Sequence, residues 1–123
     1  GIIPGDGGAW FLPRAVGYSN ACMMAFSGEP VKADAALRMG LVSEVVAPED
    51  LVARAQTIAA GIAANPPHAV RLTKQLMRAS QNATLDELLD KSAAFQAVCH
   101  AEPDHMEAVN AFFEKRPGNY REQ

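Results

Sequence analysis

Aromatic residues are scarce here, at 7% of 123 residues, and only one of them is tryptophan. With 49% hydrophobic residues and abundant alanine, the chain can bury a core of closely packed small helices more readily than that of a β-sandwich. Cysteine is nearly missing. Cys22 and Cys99 form neither a C-x-x-C pair nor a metal-spaced cluster, which removes a disulfide scaffold and a thiolate zinc site. Each lies among apolar residues at helical spacing, as a small buried hydrophobe does. No large excess of one charge is present. A net charge of −3 gives nothing for broad nucleic-acid binding. No apolar run approaches the roughly 20 residues of a membrane span, so no membrane is expected as a partner. An initiating Met is lacking, as is any strand ahead of the opening turn Gly1-Ile2-Ile3-Pro4-Gly5-Asp6-Gly7-Gly8. A tight turn needs both flanking elements to hold it, whereas Ala111 to Arg116 reads like the end of a complete protein. The expectation is the C-terminal portion of a longer chain.

What is present is a run of helical signals, and the length suits one domain. Trp10, Leu12 and Val16 mark a short helix over 9–16, beginning near Pro13 or kinked there and closed by Gly17. Ser19 is a candidate N-cap for a second helix ending at Phe26. Val31 can pair briefly as a strand residue. A helix over 32–39 ends at Gly40, and the β-branched run Leu41 to Val46 reads as a short strand. Pro48, with Glu49 and Asp50 beside it, opens a long helix carrying Leu51, Ala55, Ile58, Ala59 and Ile62. Asn65-Pro66-Pro67 breaks it. The next helix, about 68–80, shows Val70, Thr73 and Met77 on one face and Arg71, Lys74 and Arg78 on another. Thr84 and Glu87 make a capping box ahead of an apolar stripe of Leu85, Leu88, Leu89, Ser92, Phe95 and Cys99. After Pro103, Asp104 and Glu107 form a second cap-like pair for a last helix with Met106, Val109 and Phe113, and a polar tail follows Pro117. The expected fold is mostly α with one or two short strands.

Several constellations carry possible chemistry. The glycine turn can hold an anion through backbone amides, or can simply need positive φ angles. It matches neither a Walker loop nor a dinucleotide fingerprint. Asp6 is its only carboxylate, a weak candidate for general base or nucleophile and equally a turn-capping residue. His68, His100 and His105, with Glu102 and Asp104, fit no ligand spacing, so no metal is expected. Arg71, Lys74 and Arg78 read as a solvated face. Phe112 and Phe113, followed by Lys115 and Arg116, can either pack as a final helix or hold an adenine and a phosphate, by stacking and by charge.

Taken in order, these motifs resemble the crotonase, or enoyl-CoA hydratase/isomerase, family. The glycine turn with Leu12-Pro13-Arg14 and Gly17 looks like its signature. Phe26-Ser27-Gly28-Glu29-Pro30-Val31 looks like its F-(S/T)-G-x-x-(I/V), and Ala33 to Ala36 with Gly40-Leu41-Val42 like its A-x-x-A…G-L-V. Asp104, Glu107 and Ala111-Phe112 with Glu114-Lys115-Arg116 agree at the other end. The resemblance implies the C-terminal part of a ClpP/crotonase-like ββα spiral fold. Residues 1–46 would end the core, and residues 47–123 would form the helical region that builds trimers or dimers of trimers. It implies a coenzyme A thioester as substrate, no permanently bound cofactor, and a cytoplasmic setting. In such enzymes two backbone N–H groups form an oxyanion hole, and in hydratases two glutamates move water and a proton across a double bond. These positions lie upstream of the glycine turn, so no catalytic residue is expected here beyond the weak candidate Asp6. Gly5 stands where dienoyl-CoA isomerases carry an Asp, which favours a hydratase pattern over that isomerase chemistry. The resemblance makes Gly5, Trp10, Phe112 and Lys115 candidate substrate-binding residues, with Trp10 beside the acyl pocket and Phe112 and Lys115 at the adenine and 3′-phosphate end. Ala108, in place of a frequent Gly, suits a helix. Other acyl-CoA chemistry, isomerisation included, and a non-catalytic helical assembly module stay open as alternatives.

Overall fold

The computed structural model describes residues 1–120, so the end of the expected polar tail, 121–123, lies outside the described residues. The chain divides into two compact units, Gly1–Leu51 and Val52–Gln123. Among the described residues there are helices and turns but no strand.

The first unit holds α1 (Gly8–Val16), α2 (Tyr18–Ser27) and α3 (Ala33–Arg38), with α1 packed on α2. Its buried side chains are small: Val16, Ala21 and Ala36. Helix α1 starts at Gly8 and runs through Pro13, although Pro13 cannot donate to the Ala9 carbonyl. Ser19 does not cap α2. The N-cap is Gly17, whose carbonyl accepts the Ala21 amide at 3.1 Å, and Ser19 falls inside the first turn. Helix α3 stops as expected at Gly40, which has φ 78°. The Gly40 amide reaches the Leu37 carbonyl at 3.1 Å and the Leu41 amide reaches Ala36 at 2.9 Å, the paired bonds of a Schellman end. Leu41 to Val46 is not a strand but a bend and irregular chain, and Val31 pairs with nothing as a strand. A strand exists only beside another strand that takes its amides. β-Branched composition supplies the preference, not the partner.

A single 3-10 turn, Pro48–Asp50, leads into α4 (Leu51–Ala63). The second unit continues with α5 (Pro67–Ala79), α6 (Leu85–Ala101) and α7 (Pro103–Glu114), with α5 on α6 and α6 on α7. The inward face of α5 is set by Leu72, which is buried, with Ala69, Leu76 and Ala79 half-buried around it. Of the face marked by Val70, Thr73 and Met77, Val70 is half-buried while Thr73 and Met77 are exposed. The apolar face is turned by about one residue, because Leu72 and Leu76 offer more apolar surface than Thr73 and Met77 share between them. On α6 the stripe holds from Leu88 through Ser92 and Phe95 to Cys99, while Leu85 and Leu89 stay exposed. Asp104 and Glu107 do not form a cap. The N-cap of α7 is Glu102, followed by Pro103, and Glu107 is drawn to the far end of the helix.

The capping box at α6 is complete. Thr84 Oγ accepts the Glu87 amide at 3.3 Å, and the Thr84 amide donates to Glu87 Oε2 at 2.9 Å. The Thr84 amide, and then its hydroxyl, which also donates to Glu87 Oε2 at 2.9 Å, hold the Glu87 carboxyl below its ordinary range. Thr84→Ala removes the cap and is expected to lower the unfolding free energy by about 1 kcal/mol in a urea titration. An unchanged midpoint would show that the box contributes nothing.

Candidate substrate-contact site

The opening turn is built by backbone bonds. The Pro4 carbonyl accepts the Ala9 amide at 3.3 Å, and the Gly7 carbonyl accepts Trp10 and Phe11 at 3.0 and 2.9 Å. Two of its glycines are required for different reasons. Gly7 has φ 99°, and a Cβ on Gly8 would sit 2.9 Å from the Pro4 ring. Neither reason applies at Gly5. Its φ is not positive, and a Cβ there would meet Ile3 at 3.6 Å, an ordinary contact. The missing side chain at Gly5 is therefore not demanded by the turn. Gly5 and Asp6 sit together on this exposed turn, beside Ile2, Ile3 and Pro4.

Between α1 and α2 lies an apolar groove of about 480 Å³, lined by Ile3, Leu12, Tyr18, Cys22 and Phe26 among others. A hydrogen bond with the Cys22 side chain raises the Tyr18 hydroxyl above its ordinary pKa. Trp10 does not line this groove. The Arg14 guanidinium lies 3.4 Å above its ring and also donates to the Trp10 carbonyl at 2.9 Å. This cation–π contact went unseen in the sequence, although an i, i+4 spacing on a helix is the signal for it.

Phe112 and Lys115 come together at the end of α7. Phe112 is 79% exposed and meets Phe113 edge to face at 5.7 Å. Lys115 is the one residue other than glycine with positive φ among the described residues, at 53°. Its amide donates to Phe112 at 3.3 Å, and the Arg116 amide donates to Ala111 at 3.1 Å, again a Schellman end. A left-handed residue with a Cβ costs about 1–2 kcal/mol, which is why glycine dominates this position elsewhere. Arg116 grips Glu107 through both terminal guanidinium nitrogens, Nη1–Oε1 at 2.5 Å and Nη2–Oε2 at 3.0 Å, and Glu114 through Nε at 2.6 Å. The Asn119 amide adds a bond to Glu107 Oε1 at 2.8 Å. The guanidinium first, and then that amide, bring the Glu107 carboxyl down to about 2. The same carboxylates raise Arg116.

The histidines, scattered in sequence, gather around the α5 start and the α6–α7 turn. His68 Nδ1 lies 3.0 Å from Glu102 Oε1, and the His100 and His105 rings stand 4.6 Å apart. The 34-residue separation of His68 and Glu102 hid that pair from any local reading. Among the described residues no three His, Cys, Asp or Glu side chains converge as metal ligands. Arg71, Lys74 and Arg78 are all exposed on α5.

The family model for enoyl-CoA hydratase/isomerase matches residues 1–123. The chain belongs to this family. It is 40% identical to the short-chain-enoyl-CoA hydratase of Clostridium acetobutylicum, over 94% of its own length and 44% of that protein's. It is 35% identical to the 1,2-epoxyphenylacetyl-CoA isomerase of Escherichia coli, over 94% of the chain and 44% of the relative. The crystal structure of an enoyl-CoA hydratase from Bacillus anthracis superposes with a TM-score of 0.94 at 34% identity, covering 99% of this chain and 47% of that one. The chain thus spans about half the length of the relatives it matches, and it matches their C-terminal part.

Because the Glu107 pKa is depressed when folded, its contribution is complete above the ordinary carboxylate value of 4.5 and is lost as pH falls through about 2. Protection of the Asn119 amide in hydrogen exchange should hold down to about pH 4 and fade between there and pH 2. Loss of that protection already at pH 5 would contradict the clasp.

Proposed function

We propose that this chain is the C-terminal part of an acyl-CoA enzyme that hydrates 2-enoyl-CoA thioesters to 3-hydroxyacyl-CoA. The observation that carries the reading is the family match across residues 1–123, at both the glycine turn and the α7 end. In this reaction water adds its oxygen at C3 and a proton arrives at C2, while charge builds on the thioester oxygen. Two glutamates would handle the proton traffic and two backbone amides would hold the oxyanion, and the family resemblance puts all four ahead of the glycine turn.

The chain's own part is binding. Gly5, whose missing side chain the turn does not need, leaves its backbone open to close approach by the acyl portion. The apolar groove beside it suits the same role as a wall. Trp10, with Arg14 over its ring, belongs to the helix that supports this wall. Phe112 offers an exposed ring to the adenine of coenzyme A, and Lys115 offers a cation to its 3′-phosphate. Asp6 stays a weak candidate for proton transfer. The substrate is a coenzyme A thioester, with no permanently bound cofactor. Residues 1–46 would close the core and 47–123 would make the homo-oligomer, a trimer or a dimer of trimers. No helix among the described residues is long and apolar enough to cross a membrane. A cytoplasmic setting is the family habit. Isomerisation of an acyl-CoA is the second reading, for which the identity to the Escherichia coli isomerase speaks, at 35% against 40% for the Clostridium acetobutylicum hydratase.

Two outcomes are expected. The purified 123-residue chain should not hydrate crotonyl-CoA in a spectrophotometric assay, and measurable turnover would refute the assignment of the acid–base pair to other residues. Calorimetry of the same chain should show coenzyme A binding better than 3′-dephospho-coenzyme A, with Lys115→Ala reducing that preference roughly three- to tenfold. A preference untouched by Lys115→Ala would remove Lys115 from the site.

A further inference from the structure

Among the described residues, the chain leaves α2, α3 and α7 through a residue of positive φ, at Gly28, Gly40 and Lys115. The first two use the residue for which this conformation costs nothing. Lys115 has a Cβ, yet it completes the same pair of backbone bonds as Gly40, to Phe112 and from Arg116 to Ala111.

The residues around it differ from those around Gly40 in one respect. Arg116 is tied by Glu107 and Glu114, and it also donates to the Pro117 carbonyl at 3.1 Å. Glu107, one carboxylate two turns back on α7, holds the guanidinium nine residues ahead and the Asn119 amide twelve ahead. The chain on the C-terminal side of Lys115 is thereby fastened to α7 itself. With the helix fixed on one side and Arg116 on the other, the backbone at Lys115 has little freedom to relax into the ordinary region. A helix that only needed to stop could do so with glycine and without this clasp, as α3 does at Gly40.

We infer that Glu107 and Arg116 are positioning residues, holding Lys115 in its left-handed backbone so that its ammonium and the Phe112 ring are presented together to the phosphorylated end of the ligand. The inference rests on the coenzyme A reading proposed above. Neither Glu107 nor Arg116 needs to touch the ligand. Their effect passes through Lys115.

The test combines amide exchange with calorimetry, using coenzyme A and 3′-dephospho-coenzyme A on the 123-residue chain. Arg116→Ala should speed exchange at position 116 and at Asn119 at least tenfold, and should reduce the preference for coenzyme A to the level of Lys115→Ala. The double variant should lose less than a further twofold, since both substitutions remove one interaction. Lys115→Gly in the Arg116→Ala background should restore amide protection at 116 without restoring the preference. Glu107→Gln, which keeps the side-chain volume, should act like Arg116→Ala and serves if the alanine variant does not fold. A preference unchanged by Arg116→Ala, or losses that multiply in the double variant, would overturn the positioning role while leaving Lys115 in the site. A preference unchanged by Lys115→Ala would instead sink the coenzyme A reading, and the positioning role with it.

Discussion

Every helix leaves carbonyls and amides at its ends without partners, and the residues that pair them set where several helices of this chain start and stop. Isolated helices of these lengths draw most of their stability from buried faces. Here the buried side chains are few and mostly small: Val16, Ala21 and Ala36 in one unit, Leu72 and Ala111 in the other. Four of the helix ends are tied by specific bonds. Gly40 and Lys115 complete paired bonds after α3 and α7, Gly28 closes α2, and Thr84 and Glu87 satisfy each other at the start of α6. The binding residues proposed here lie at such points. Gly5 is in the turn that starts α1, and Lys115 is the residue at which α7 ends.

The other side of this economy is exposed apolar surface. Helix α4 buries none of its residues, and Leu51, Val52, Ile58 and Ile62 remain largely accessible. Phe26 in the first unit and Phe112 and Phe113 in the second are more than three-quarters exposed. Large apolar side chains grouped in this way mark surfaces that meet another molecule or further protein. That agrees with a chain about half as long as the relatives it matches, and with the proposed role in assembly.

The sequence was most legible where a signal is local. The Thr84 and Glu87 box, the Gly40 stop and the breaks at Pro66 and Pro103 depend on residues within one turn of each other, and all appear where expected. It misled where composition stood in for a partner. Leu41 to Val46 has the residues of a strand and no neighbouring strand to pair with. Asp104 and Glu107 have the spacing of a cap, but Arg116 competes for Glu107 with two charged bonds and wins. Thr73 and Met77 fit the helical period of α5, yet Leu72 and Leu76 fit it too and carry more apolar surface. Of the candidate site, Gly5, Trp10, Phe112 and Lys115 were proposed from the family motifs. The left-handed backbone at Lys115 and the cation over Trp10 are three-dimensional facts that no motif states.

The central claim is that these residues bind a coenzyme A thioester for an acid–base pair encoded elsewhere in the same protein. Reading the source gene immediately ahead of the Gly1 codon tests it most directly. The account predicts two glutamates encoded ahead of Gly1, the positions that the family resemblance implies for the acid and base of hydration. A reading frame that starts near Gly1, or one in which either glutamate is replaced, would contradict hydration by this protein.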